Sequence, residues 1–343
     1  MATERTNVAV VGAGAFGRNH ARVYRQLEQA GEPVHLAAVA DLNPAQATAL
    51  ARESGPGVAA FTDLAELIAG GHVRAASVAV PTLEHLDVAR RLMAAGIDVL
   101  IEKPLAATLA DADKLIALAK QHGRIAQVGH LERFNPAVQA TLPLVTRPMF
   151  FEVHRLSVFS PRSLDIDVVL DLMIHDLDIV LALVNSPAKE VRAVGLPILS
   201  PRVDIANVRL EFESGCVANF TASRVSTEKV RKLRFFQPQQ YISVDYTRQD
   251  VLVFTVASTG RPSVGVAVPG APGSPIQIAK PAVQTQEPLQ AELRAFLEAV
   301  RRRSRPLVPL EDGRRALAAA LDIQGAMREH SQKVSLDVLG AGN

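Results

Sequence analysis

Tryptophan is absent from the 343 residues, and aromatic side chains make up only 4% of them. Any core must therefore be built mainly from Ala, Val, Leu and Ile. A single cysteine, Cys216, excludes an intrachain disulfide framework and any Cys-cluster metal site. No uninterrupted apolar run approaches the roughly 20 residues that a bilayer-spanning helix requires, so no membrane partner is expected. Net charge is scarce too: 37 Lys and Arg against 35 Asp and Glu leave +2, no broad footprint for nucleic acid or an anionic surface. The first seven residues lack the charged-then-apolar order of a secretory signal, and a cytoplasmic location is expected. What is present suits a folded chain, with 48% hydrophobic and 21% charged residues. The length suits two domains.

Residues 1–128 alternate between short apolar runs and helical patterns. Strand-like runs at Val8–Val11, His35–Ala40, Ala75–Val80, Val99–Ile101 and Ile125–Val128 are separated by helical stretches. Those helices are expected at 19–30, 44–53, 64–69, 85–95 and 111–122. Short connections between alternating strands and helices imply right-handed parallel units, hence an α/β doubly wound sheet. Residues 129–343 read differently, as a second, α+β domain with a largely antiparallel sheet. Strands are expected at 150–159, 191–196, 203–212, 216–225, 232–236 and 241–247, with a helix over 168–184 and a hairpin break at Glu213-Ser-Gly215. Residues 258–288, with six prolines and four glycines, read as an irregular excursion containing a short strand at 276–279. Helices over 289–303 and 313–330 close the chain, the first ending in the basic cluster Arg301–Arg305 at a solvated helix terminus.

Gly12-Ala-Gly14-Ala-Phe-Gly17 lies directly between the first strand and the first helix. There Gly12 permits a tight turn, Gly14 lets backbone approach a pyrophosphate, and Gly17 permits close helix–strand packing. The helix N-terminus then presents free N–H groups to the phosphates. Asp41 ends the second strand, where its carboxylate can accept from both hydroxyls of an adenosine ribose and repel a 2′-phosphate. NAD is the expected cofactor. Glu102-Lys103-Pro104 ends the strand at 99–101, at the edge that faces the ligand crevice, where the Lys103 ammonium can hold a substrate oxygen. Asp171 and His175, four apart in the helix over 168–184, share a face and suit an acid/base pair. A solvated polar pair is the bland alternative. With no Cys partners and no HExxH pattern, no metal is expected.

These residues, together with Pro81-Thr82 and His85, resemble the Gfo/Idh/MocA oxidoreductases over nearly the whole chain. The resemblance implies a Rossmann domain over 1–128 and a substrate-binding domain over 129–343. The open sheet of the second domain commonly serves in oligomerisation, so a homo-oligomer, dimer or tetramer, is expected. It implies that Lys103 and His175 are catalytic with Asp171 assisting, and that the glycine loop with Ala15 and Phe16, and Asp41, Pro81, Thr82, His85, Glu102, Lys103 and Gln127, lie near the cofactor. One departure is Asp167-Val-Val-Leu170, where the family often carries a Gly-rich stretch.

Gly129-His-Leu-Glu-Arg-Phe-Asn-Pro136 and Phe159-Ser-Pro-Arg-Ser-Leu-Asp165 are similar to the subgroup that oxidises the 3-hydroxyl of UDP-N-acetylglucosamine, making a keto-sugar for amination in lipid A biosynthesis. A UDP-sugar needs donors for its diphosphate, and Arg133, Asn135, Arg155 and Arg162 are the candidates, each Arg alternatively an ion-pair partner. Alternative substrates are an inositol, a free sugar or another small molecule such as a linear tetrapyrrole. A non-catalytic dinucleotide sensor is the alternative of another class, disfavoured by the retention of Lys103, Asp171 and His175.

Overall fold

The computed structural model of the chain describes residues 5–70, 72–160, 166–256 and 276–333. Two compact units form, Met1–Phe134 with Glu287–Leu317, and Asn135–Gln286 with Ala318–Asn343. Among the described residues no helix is long and apolar enough to cross a membrane.

The first unit runs β1 (Thr6–Val11), α1 (Ala15–Gln29), β2 (Val34–Ala40), α2 (Pro44–Ser54), β3 (Ala59–Phe61), α3 (Leu64–Gly70), β4 (Ala75–Val78), α4 (His85–Ala94), β5 (Asp98–Glu102), α5 (Leu109–Gln121) and β6 (Ala126–Gly129). Its strands pair in parallel in the order β3-β2-β1-β4-β5-β6. Strands covered on both faces must be apolar throughout, which is why Val8, Ala9 and Val10 of β1 are wholly buried. The chain winds outward one way from β1 to β3 and the other way from β4 to β6. That reversal opens a crevice at the carboxyl ends of β1 and β4. The expected strands and helices are all present within a few residues of their expected bounds. The additional β3 is a three-residue edge strand, too short to register as a pattern.

The second unit begins with α6 (Pro136–Thr141) and then forms β7 (Phe150–Val158), α7 (Ile174–Val184), β8 (Ala188–Leu196), β9 (Ile205–Phe212), β10 (Val217–Ser226), β11 (Val230–Gln237), β12 (Gln240–Asp245), β13 (Asp250–Val256) and β14 (Ile276–Ala279). Among the described residues the sheet order is β14-β13-β12-β11-β7-β10-β9-β8. Every pairing is antiparallel except β7 with β10. Gly215, at φ +83°, makes the expected hairpin turn, with its N–H on Phe212 O at 2.9 Å. The strand expected to run to Thr247 stops at Asp245, because the Asp245 carboxylate accepts the N–H groups of Thr247 and Arg248 and closes a turn. That turn feeds β13, where the sequence pattern predicts no strand.

Two helices follow, α8 (Pro288–Arg302) and α9 (Leu310–Lys333). Leu293, Phe296, Leu297 and Val300 of α8 are wholly buried in one cluster with Val8, Val10, Tyr24 and Leu27. At about 1.5–3 kcal/mol per such side chain, this face ties α8 into the first unit. Arg303 lies exposed at the end of α8, where its guanidinium pairs with the buried Asp98 carboxylate and donates to Gly123 O at 2.7 Å.

Candidate active site

The glycine loop has the geometry its spacing requires. Gly12 sits at φ +101°, and a Cβ built on it would lie 2.4 Å from Ala79 O. A Cβ on Gly17 would lie 1.7 Å from Gly12 O, so α1 can approach β1 only with glycine there. Gly14 has nothing within 4 Å of its Cβ position: the loop is open to a ligand at that point. α1 starts with no side-chain cap and no acidic residue in its first turn. Its first N–H groups are left for an anion.

Beside the loop lies a cavity of about 660 Å³ lined by Gly12, Gly14, Ala15, Phe16, Asp41 and Pro81 among others. Phe16 is half exposed at its rim. Asp41 does two jobs. Its carboxylate accepts the Ala13 N–H at 2.7 Å and the Asn43 N–H at 2.8 Å, which ties the glycine loop to the end of β2. A carboxylate offers about four acceptor positions, so capacity for ribose hydroxyls remains.

Gly17, Thr82, His85, Glu102, Lys103 and Gln127 do not line this cavity. Thr82 opens the short helical turn before α4. His85 is buried, its ring within 3.1 Å of Val80 O and Pro104 O and 3.2 Å of Leu105 O, a clamp between the loops after β4 and β5. Burial holds its pKa below the ordinary imidazole value, although the three carbonyls favour the proton. Glu102 is buried beneath Lys103, accepting the Lys103 N–H at 3.2 Å. Gln127 is wholly buried, and neither of its amide atoms has a hydrogen-bond partner among the described residues. Buried polar groups are nearly always hydrogen-bonded, so an orphaned donor and acceptor within β6 fit a polar ligand group. With the open loop and the uncapped helix, they fit a dinucleotide.

Sequence reasoning missed His130. It is buried between charges, its ring nitrogens unpartnered among the described residues. Burial first, then the charges of Lys103 and Arg133, push its pKa down to about 3.

In the second unit Asp171 and His175 are both half-buried. The helix expected over 168–184 is divided: Val169–Met173 forms a wider π-helical turn, and α7 follows from Ile174. Such turns are rare and frequent at functional sites. Asp167 holds its start, accepting the N–H groups of Val169 and Leu170 at 2.9 and 3.0 Å.

The expected anchors for a diphosphate divide sharply. Arg155 is buried, donating to Asp176 through Nε at 2.6 Å and Nη2 at 3.0 Å, with its guanidinium 5.4 Å from the Tyr246 ring. It braces the residue next to His175 and is not presented to solvent. Asn135 is buried too, capping α6 through the Ala137 N–H and donating to Tyr246 O. One physical reason covers both: a polar side chain that is buried takes protein partners. Arg133 pairs with Asp312 at 3.3 Å. Arg162 lies outside the described residues.

Residues 6–130 match the oxidoreductase family with an NAD-binding Rossmann fold, and residues 152–243 match the Gfo/Idh/MocA C-terminal domain. A curated UDP-N-acetylglucosamine 3-dehydrogenase from Acidithiobacillus ferrooxidans is 35% identical over 325 residues, 94% of this chain and 98% of its own. The chain belongs to the Gfo/Idh/MocA oxidoreductase family. It is an NAD-dependent oxidoreductase. The solved structure of that Acidithiobacillus enzyme superposes with a TM-score of 0.85 at 34% identity, covering 95% of this chain and 98% of the other. An inositol 2-dehydrogenase from Arthrobacter is 33% identical over 185 residues, 51% of this chain and 53% of its own. A levoglucosan dehydrogenase in complex with NADH shares the fold of the oxidoreductase, with a TM-score of 0.82 at 18% identity, over 95% of this chain and 98% of the other.

Proposed function

We propose that this oxidoreductase oxidises a secondary alcohol of a nucleotide sugar, the 3-hydroxyl of UDP-N-acetylglucosamine, with NAD as the acceptor. The observation that carries the proposal is the 35% identity extending over nearly the full length of both chains, whereas the inositol dehydrogenase likeness spans half. Bound NAD supplies the hydride acceptor. The glycine loop, Asp41 and the α1 N-terminus hold it, with Pro81, Thr82 and Gln127 nearby. Lys103 holds the substrate oxygen and favours its alkoxide character. His175 takes the hydroxyl proton as the C–H hydride leaves, and Asp171 orients the imidazole. Arg133 remains a candidate for the diphosphate. The keto-sugar product suits an aminotransferase, as in lipid A biosynthesis, and such a substrate fits a cytoplasmic enzyme.

The second unit suits self-association. One face of its sheet carries a ladder of rings, Phe150–Phe236–Tyr241–Phe254, with centroids 4.9–5.6 Å apart, the first pair tilted and the other two stacked. Phe236 is exposed there. An apolar ladder with an exposed ring favours a homo-oligomer.

The test is a panel of UDP-sugars, free hexoses and inositols, followed by NADH formation with product mass spectrometry or an aminotransferase trap. Turnover of UDP-N-acetylglucosamine to its 3-keto form is expected. Turnover of inositol or free glucose with no UDP-sugar would refute the substrate.

A further inference from the structure

A line of buried polar side chains crosses the first unit beneath Lys103. The Tyr24 hydroxyl lies 2.9 Å from Ser77 Oγ, which lies 2.9 Å from His20 Nδ1. His20 Nε2 lies 2.8 Å from Glu102 Oε1, and the other oxygen, Glu102 Oε2, accepts the Lys103 N–H at 3.2 Å. Tyr24, His20 and Ser77 are wholly buried, and Glu102 is nearly so. Three elements, α1, β4 and β5, supply these side chains, and the residue that follows β5 supplies the N–H.

The carboxylate has been given room. Gly129 is the parallel partner of Glu102 on β6, and a Cβ there would lie 3.0 Å from Glu102 Oε1. Any larger residue would push the carboxylate away from His20 or from Lys103. Burying an ionised carboxylate is costly unless it is paired and hydrogen-bonded. His20 and the Lys103 N–H together meet that requirement. Burial alone would raise the Glu102 pKa, but the His20 hydrogen bond and charge, with Lys103, hold it below the ordinary carboxylate range. Other charged or titratable groups interacting with this cluster are Glu292 (acting on Tyr24), His85, His130 and, through His130, Arg133 and Asp312.

From this geometry we infer that His20 is a positioning residue for Lys103: it holds the Glu102 carboxylate in place, and Glu102 in turn fixes the Lys103 backbone and sets a carboxylate beside its side chain. Ser77 and Tyr24 hold the imidazole in register for that task. The inference rests on the role given to Lys103 above and adds the device that sustains it. Coulombic interaction is mutual, so a carboxylate stabilised by Lys103 stabilises the Lys103 cation to the same degree. Removing the His20 donor frees the Glu102 carboxylate to move from its place beside Lys103 and withdraws that support.

The experiment compares His20→Ala, His20→Gln, Ser77→Ala and Gly129→Ala with wild type, using UDP-N-acetylglucosamine or whichever alcohol of the panel is turned over. His20→Ala should lower kcat by ~10- to 100-fold, as loss of an outer partner does, with NADH affinity within about threefold of wild type. The basic limb of its kcat–pH profile should move down by about one pH unit. His20→Gln restores a donor near Nε2 and should recover most of both effects. Ser77→Ala and Gly129→Ala should shift the limb in the same direction. They decide the matter if His20→Ala does not fold. A wild-type kcat and basic limb in the folded variants would overturn the inference. Lys103→Ala separates the two layers: full turnover there refutes the role of Lys103 and this device with it. Loss of turnover there, beside wild-type behaviour of the His20, Ser77 and Gly129 variants, refutes the device alone.

Discussion

Replacing Asp41 by Ala tests the cofactor end of the site through two opposite energies. For NAD, the lost interactions are hydrogen bonds from ribose hydroxyls to a charged acceptor, each worth about 1.5–3 kcal/mol. Two of the carboxylate's roughly four acceptor positions are already committed to the Ala13 and Asn43 N–H groups, which leaves about two for the ribose. With solvent able to replace part of each bond at this half-buried position, a net loss of about 3 kcal/mol is expected. For NADP, the same substitution removes the repulsion between the carboxylate and a 2′-phosphate. At about 5 Å and an effective dielectric near 20, that is ~3 kcal/mol per pair of unit charges, and screening brings it to about 1–2 kcal/mol. The two changes act together on the NAD/NADP ratio, so about 4–5 kcal/mol becomes a loss of preference of ~10³-fold. Titration of NADH and NADPH fluorescence reads both affinities directly. Asp41→Asn keeps an acceptor for Ala13 while losing the charge, and should relax NADP rejection with the smaller loss of NAD affinity. A preference ratio within about threefold of wild type in Asp41→Ala would refute this reasoning, as would a wild type that binds NADPH more tightly than NADH.

Lys103→Ala and His175→Ala should each reduce turnover by ~10²–10⁴-fold while NADH affinity stays within about threefold, measured by steady-state kinetics beside fluorescence titration. Arg224→Met strips the buried Asp204 of its charged partner, at 2.7 Å, and should destabilise the second unit by about 3–5 kcal/mol in chemical denaturation. Burial would raise the Asp204 pKa, but hydrogen bonds from Ser200, Arg224, Ile198 and Leu199 outweigh it and hold the group well below the ordinary carboxylate range. A folded pKa below the unfolded one stabilises the fold above about pH 4, and that stability is lost as pH falls further. Asp204→Asn should therefore flatten the acid side of the stability profile, and an unchanged acid slope would count against the assignment.

What was legible in the sequence was local. A glycine at φ +101° followed by one in contact with its carbonyl leaves a fixed spacing in the chain, and the run Val8–Val11 before it reads as a strand on its own. The strand–helix alternation carries the parallel sheet because each short connection constrains its neighbours. β13 was not legible, since the turn before it is made by the Asp245 side chain rather than by a glycine or proline. Nor was the π-helical turn at Val169–Met173, because Asp171 and His175 have the same spacing in sequence whether the intervening hydrogen bonds reach four residues or five.

The polar residues show where such reading stops. Arg155 and Asn135 stand near segments that suggested anion binding, yet both are spent on buried partners, Asp176 and Tyr246. His20 is the opposite case, passing for an ordinary residue of a helix although it lies against Glu102. Its partners are 57 and 82 residues away, Ser77 and Glu102, each on a different strand. Spacing within one element constrains only side chains that share that element. A buried ionisable group is defined instead by the partner that compensates its desolvation, and that partner is brought to it by the sheet order. With β1 between β2 and β4, and β5 beside β4, the carboxyl ends of three central strands and the first helix converge on one spot. Glu102 ends the second strand out from β1, so a helix that starts at the end of β1 can deliver a side chain to it, and α1 delivers His20. Topology therefore assigns the role, and the residue type only permits it.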